Sequence, residues 1–127
     1  MTNDQVEPGA PIPFRVDSSD SGQWCHLTVH GDVDIDTARL LGESVSDALD
    51  RGRRHITIDM RSVTFMDSTG LSAIITGRQA AVAAGGSLRV TDPSSAVLLV
   101  LDATNLTAAL LDRGSGGDPG QGAPPAT

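Results

Sequence analysis

The sequence predicts an α/β fold, a single domain in which a small sheet is covered by helices. The hydrophobic period switches along the chain between two and about 3.6 residues, the periods of strand and helix. The two kinds of run alternate in the order β-β-α-β-α-β-α, which calls for parallel or mixed strands with helices packed against them. The length, 127 residues, leaves room for one ordinary domain and not two.

Phe14 and Val16 suggest a short first strand, and Asp17-Ser18-Ser19-Asp20-Ser21-Gly22 reads as turn chemistry. Trp24 to His30 alternates, with Cys25, Leu27 and Val29 on one face and His26, Thr28 and His30 on the other. Together these predict a hairpin with a loop longer than the tightest kinds. From Thr37 the apolar positions Ala38, Leu41, Val45 and Leu49 recur at helical spacing, with Asp36 or Thr37 as N-cap and Gly52 as a stop. His55 to Met60 alternates again. A second helical stripe, Leu71, Ile74, Ile75 and Val82, ends at Gly85-Gly86. Leu88 and Val90 make a short strand, and Asp92-Pro93-Ser94 opens a third helix through Leu101. Leu106 to Leu111 is too short to assign. Residues 1–13 read as a flexible N-terminal segment, 14–112 as the folded domain, and 113–127 as a disordered Gly/Pro-rich tail.

Composition narrows the function. Sixteen acids against nine bases give a net charge of −7, a poor match for a phosphate backbone. Aromatics are 2% of the chain, which removes base-stacking platforms, so no nucleic-acid partner is expected. The longest apolar run, Ala96 to Leu101, is too short to span a bilayer, and no signal-peptide pattern opens the chain. A cytoplasmic protein without a membrane partner is therefore expected. The single cysteine, Cys25, alternates with Leu27 and Val29 and reads as a core residue.

No catalytic constellation stands out. His26, His30 and His55 sit on strands, where four-residue spacing does not join side chains. Asp32, Asp34, Asp36 and Glu43 nearly match a calcium-loop spacing. Thr37 stands where that loop needs glycine, however, and the preceding run is a strand, so no metal is expected. The helix from Ser95 is apolar all round at Val97-Leu98-Leu99-Val100-Leu101, so it is either buried on two sides or leaves an exposed patch.

The most informative segment is Asp67-Ser68-Thr69-Gly70, between an apolar strand end and an amphipathic helix. Asp67 or Ser68 is the natural N-cap, a purely structural use. The functional use is a phosphoacceptor at Ser68, with Thr69 as runner-up. Free amides at the helix start could hold the added phosphate, which brings about −1.5 to −2 charges.

Three blocks carry a family resemblance. They are Gly31-Asp32-Val33-Asp34 followed by Thr37-Ala38, the run Asp59 to Leu71, and Gly85-Gly86-Ser87-Leu88. In these the chain resembles a stand-alone STAS domain of the bacterial anti-anti-sigma factor (anti-sigma factor antagonist) family, over Phe14 to Leu111. The resemblance implies a small mixed β-sheet with helices mainly on one face, no enzymatic activity and no cofactor. It implies partner switching: the dephosphorylated form binds an anti-sigma factor serine kinase and releases the sigma factor. Phosphorylation at Ser68 switches binding off, and a PP2C-type phosphatase resets it. Carried over, Asp67, Ser68, Thr69 and Gly70 form the modified loop, and Asp32 and Asp34 the neighbouring partner-binding loop. Leu98 and Leu99 depart from the family pattern, in which charged residues are common there. The alternative is a STAS interaction module in a scaffold or transporter-associated complex. The oligomeric state is open.

Overall fold

The computed structural model describes residues 12–111. The expected loose ends, apart from Ile12 and Pro13, lie outside the described residues. The elements are β1 (Arg15–Ser21), β2 (Trp24–Val33), α1 (Ala38–Asp50), β3 (His55–Met66), α2 (Ser68–Ala83), β4 (Ser87–Thr91), α3 (Ser95–Ala103) and α4 (Thr107–Leu110). The sheet order is β1-β2-β3-β4. β1 runs antiparallel to β2, and β2, β3 and β4 are parallel. The sheet is therefore mixed, with α1 and α2 making the crossovers that parallel neighbours require.

Alternation decides which face is covered. Cys25, Leu27 and Val29 of β2, Ile56, Ile58 and Met60 of β3, and Leu88 and Val90 of β4 are all buried. They form one core with Leu41 and Val45 of α1, Leu71 and Ile74 of α2, and Val97 and Leu101 of α3. The opposite face carries the intervening residues. There Trp24 stacks on His26 and lies tilted against His55, at centroid distances of 6.1 and 5.0 Å. His55 Nδ1 lies 2.9 Å from the Ser87 hydroxyl. The three histidines thus stay on the uncovered face.

Three expectations change. The first hairpin is tight: Ser21 pairs with Trp24 across Gly22-Gln23, and Gly22 supplies a φ of 60°. The Asp/Ser run is strand and not turn, because β1 is an exposed edge where polar side chains cost nothing by facing water. β2 and β3 also outrun their alternating patterns. Register shifts beside His30 and Asp32 let the pairing continue to Val33 and Met66, and Gly31 takes a φ of 93° there. Finally, the buried stripe of α2 is Gly70, Leu71, Ile74, Gly77 and Ala81, while Val82 is exposed. A Cβ on Gly77 would stand 3.2 Å from Val45, so small residues set how closely α1 and α2 approach.

All three longer helices end alike. Gly52, Gly85 and Asn105 each adopt positive φ. The next residue's amide then reaches back five residues: Arg53 to Ala48, Gly86 to Ala81 and Leu106 to Leu101, at 3.0, 2.8 and 2.9 Å. In α3, Val97 and Leu101 are buried and Leu99 is exposed, so the all-apolar helix buries one side only.

Candidate functional site

The site lies where β2 and β3 end and α1 and α2 begin. Two backbone contacts hold the loops together. The Asp67 amide donates to the Val33 carbonyl at 3.3 Å. A Cβ on Gly70 would meet Met66 Cγ and Val33 Cγ1, both at 2.8 Å, and Val33 O at 3.0 Å. Glycine at 70 is what lets α2 start against the strand ends.

Asp67 is the N-cap of α2. Its Oδ1 accepts from the amides of Thr69 (2.9 Å) and Gly70 (3.2 Å) and from the Thr69 hydroxyl. The Thr69 hydroxyl, helped by those amides, holds the Asp67 carboxyl below its usual range, so it is an anion at neutral pH. Two of the amides at the helix start, those of Thr69 and Gly70, are therefore already taken. Ser68 is the first helical residue and is exposed. Among the described residues its hydroxyl makes no side-chain hydrogen bond. Thr69 is half-buried and its proton is committed to Asp67.

Thr37 is the N-cap residue of α1, one of the two expected, but its side chain makes no cap bond and Asp34 supplies it instead. Asp34 Oδ1 accepts from the amides of Asp36 (3.0 Å) and Thr37 (3.2 Å), while the Thr37 hydroxyl accepts from the Asp34 amide at 2.9 Å. That reciprocal pair is a capping box. It wins because a tight turn over residues 34–37 carries the chain into α1 and brings the Ala38 amide to the Asp34 carbonyl at 2.7 Å. The Thr37 hydroxyl also donates to the Asp32 carbonyl at 2.7 Å. Asp32 is exposed and accepts from the Thr64 hydroxyl at 2.6 Å. The three aspartates of the near-calcium spacing thus do different work, and Asp34 spends one oxygen on backbone.

Sequence reasoning missed two exposed apolar residues here, Ile35 (74% exposed) and Phe65 (47%). Their only sequence signal was position, since each sits next to a quoted motif residue. A groove of about 430 Å³ between α1 and α2 opens beside Thr69, lined also by Arg39, Glu43, Ser46, Ser72 and Thr76. Arg39 and Glu43 pair at 2.8 Å on its rim. Among the described residues, no helix is long and apolar enough to cross a membrane.

Known proteins share this fold. The sequence profile of the family described as "Mlab, STAS domain" matches residues 16–112. No curated protein matches the sequence. The fold is similar to that of the anti-sigma factor antagonist SpoIIAA in its unphosphorylated form: TM-score 0.68, 19% identity, covering 81% of this chain and 90% of that one. It is similar to the phosphorylated form of SpoIIAA, the Bacillus cell fate determinant: TM-score 0.62, 18% identity, 81% and 93% covered. It is also similar to an anti-sigma factor antagonist from Mycobacterium paratuberculosis: TM-score 0.65, 20% identity, 83% and 87% covered. With a profile match over residues 16–112, running from β1 through α4, the chain belongs to the STAS domain family.

Proposed function

We propose that this protein is a non-enzymatic anti-sigma factor antagonist switched at Ser68. The dephosphorylated form binds an anti-sigma factor serine kinase and so releases a sigma factor. Phosphorylation of Ser68 ends that binding, and a PP2C-type phosphatase restores it. The observation that carries this reading is the division of labour at the start of α2. Asp67 ties down the Thr69 hydroxyl and two amides, and leaves the Ser68 hydroxyl in solvent. The likeness to SpoIIAA, a protein with a phosphorylated and an unphosphorylated form, supports it further.

The electrostatics agree. A phosphate on Ser68 adds charge beside an ionised Asp67 that already engages two of the helix-start amides. Asp32 and the neighbouring acids steer the surface toward a basic partner. A dianion in the centre of such a contact changes both charge balance and hydration without unfolding the domain.

The test uses the full chain, the purified anti-sigma factor serine kinase of the same organism, and ATP, with mass spectrometry to map the phosphate. Wild type carries it on Ser68, and Ser68→Ala carries none. In calorimetry Ser68→Asp binds the kinase at least about tenfold more weakly than Ser68→Ala, a difference of about 1.4 kcal/mol. Phosphate on Thr69, or full modification of Ser68→Ala, overturns the site. Equal affinities overturn the switch and favour a constitutive module on a scaffold or transporter complex.

A further inference from the structure

Resting on that reading, we propose that Ile35 and Phe65 are the apolar anchors of the switch surface, and that the partner meeting them presents apolar sockets rimmed by arginine or lysine. The argument begins with what the other residues of the site are doing. Within their own loops Asp67 commits an oxygen to three donors and Asp34 commits one to two backbone amides. Gly70 is buried against Met66 and Val33. These residues shape the surface, and little of them is left to face a partner.

Ile35 and Phe65 are in the opposite position. Ile35 is 74% exposed in the turn after β2, and Phe65 is 47% exposed one residue before the end of β3. Met66 pairs with Val33, and Asp67 bonds to Val33, so the segments bearing both side chains border the one bearing Ser68. Neither belongs to the core. A single exposed apolar residue needs no explanation. Two on adjoining segments, with Asp32, Asp36 and Ser68 exposed around them, make the apolar-centre and polar-rim pattern of a protein interface.

Charge selects the occupant. Asp32, Asp34, Asp36 and Asp67 stand on the same two loops, so a partner with a basic rim is complementary and an acidic one is repelled. The same geometry explains why one phosphate suffices. It would have to be desolvated beside two apolar contacts and an ionised carboxylate. Leu99 offers an internal control: it is 72% exposed, but on α3, outside both loops.

The experiment titrates the full-length Ile35→Ala, Phe65→Ala and Leu99→Ala proteins against the same purified kinase by calorimetry, with circular dichroism to check folding. Ile35→Ala and Phe65→Ala each weaken binding at least tenfold at unchanged helix content, and Leu99→Ala stays within twofold of wild type. Raising the salt weakens wild-type binding. Binding by Ile35→Ala within twofold of wild type overturns the anchors, and this variant decides the matter should Phe65→Ala lose its fold. The anchors and the switch fail separately. If Ser68→Asp binds like wild type while Ile35→Ala does not, the anchors stand and the switch falls. If Ser68→Asp alone loses binding, the anchors fall and the switch stands.

Discussion

The two ends of the sheet are both fastened by an aspartate that accepts several donors, yet they are built for different purposes. At the amino-terminal end of β3, Asp20 sits between two guanidiniums, Arg51 at 2.9 Å and Arg53 at 3.0 Å. This clasp ties the β1 edge strand to the chain leaving α1, and the two guanidiniums more than neutralise its carboxylate. The thiol of Cys25 lies beside it, pushed up to about 11 by burial and by Asp20, so it stays protonated and inert. At the carboxyl-terminal end, Asp67 takes amides and a hydroxyl. No cation neutralises it through a salt bridge among the described residues. The first end is closed on itself; the second keeps its negative charge and shows an unbonded serine to solvent. A carboxylate satisfied by backbone preserves a charged surface, whereas one satisfied by arginine consumes it.

If that contrast is right, steric faults at the closed end should damage folding alone, and faults at the open end should damage binding as well. The largest effect is expected at Gly86, where a Cβ would fall inside the Arg54 carbonyl, a backbone group that cannot step aside. Gly86→Ala should cost about 3 kcal/mol or more, read as a lower midpoint in urea unfolding. A midpoint within error of wild type would show that the joint between α2 and β3 is looser than described. Gly70→Ala comes next. Its Cβ meets the buried side chains of Met66 and Val33 and then the Val33 carbonyl, so about 1–3 kcal/mol is expected. It should also lift Asp67 away from Val33 and weaken kinase binding at a temperature where the protein remains folded.

Much of this was legible in the sequence, and the gaps have physical causes. Leu27, Ile56 and Leu88 lie on strands covered on one face only, so alternation revealed them directly. The far end of β1 was hidden because Asp17 to Ser21 is an exposed edge, where nothing selects apolar residues. The extensions of β2 and β3 were hidden because each register shift resets the alternation on which the pattern depends. Gly77 and Ala81 carry no hydrophobic signal, and their burial follows from how near α1 comes. At the site, the strand-to-helix passage at Asp67-Ser68-Thr69-Gly70 was plain. Which hydroxyl faces water was not, since that depends on where the Asp67 carboxylate turns. Nor was the part of Asp34, which supplies the capping bonds that the N-cap Thr37 does not make, because the turn before the helix is itself hydrogen-bonded.

A smaller effect tests that cap. Asp34→Ala removes the acceptor for the amides of Asp36 and Thr37, and should cost about 1 kcal/mol, the ordinary worth of an N-cap. Asp34→Asn keeps an acceptor oxygen and should restore most of the loss. If Asp34→Asn is as unstable as Asp34→Ala, the charge and not the cap is what matters there.

The smallest effect is a titration, and it compares the two aspartates directly. Both carboxyls are held below the ordinary value of about 3.9. Asp20 is held by Arg51 first and then by Cys25 and Arg53. Asp67 is held first by the Thr69 hydroxyl and then by the amides of Gly70 and Thr69. A depressed carboxyl stabilises the fold fully above its unfolded value, and that contribution is lost as the pH falls through the lower folded value. Neither group should therefore change between pH 7 and 5, and both should titrate below the ordinary carboxyl range. Carboxyl carbon shifts in NMR read the two separately. Raised salt should move Asp20, whose partners are exposed charges, more than Asp67, whose partners are dipoles. Thr69→Val removes the principal donor to Asp67 and should return its titration toward the ordinary range, leaving Asp20 where it was. An Asp67 titration unmoved by Thr69→Val would mean that the hydroxyl is not committed to the carboxylate, and Thr69 would regain equal standing with Ser68 as an acceptor.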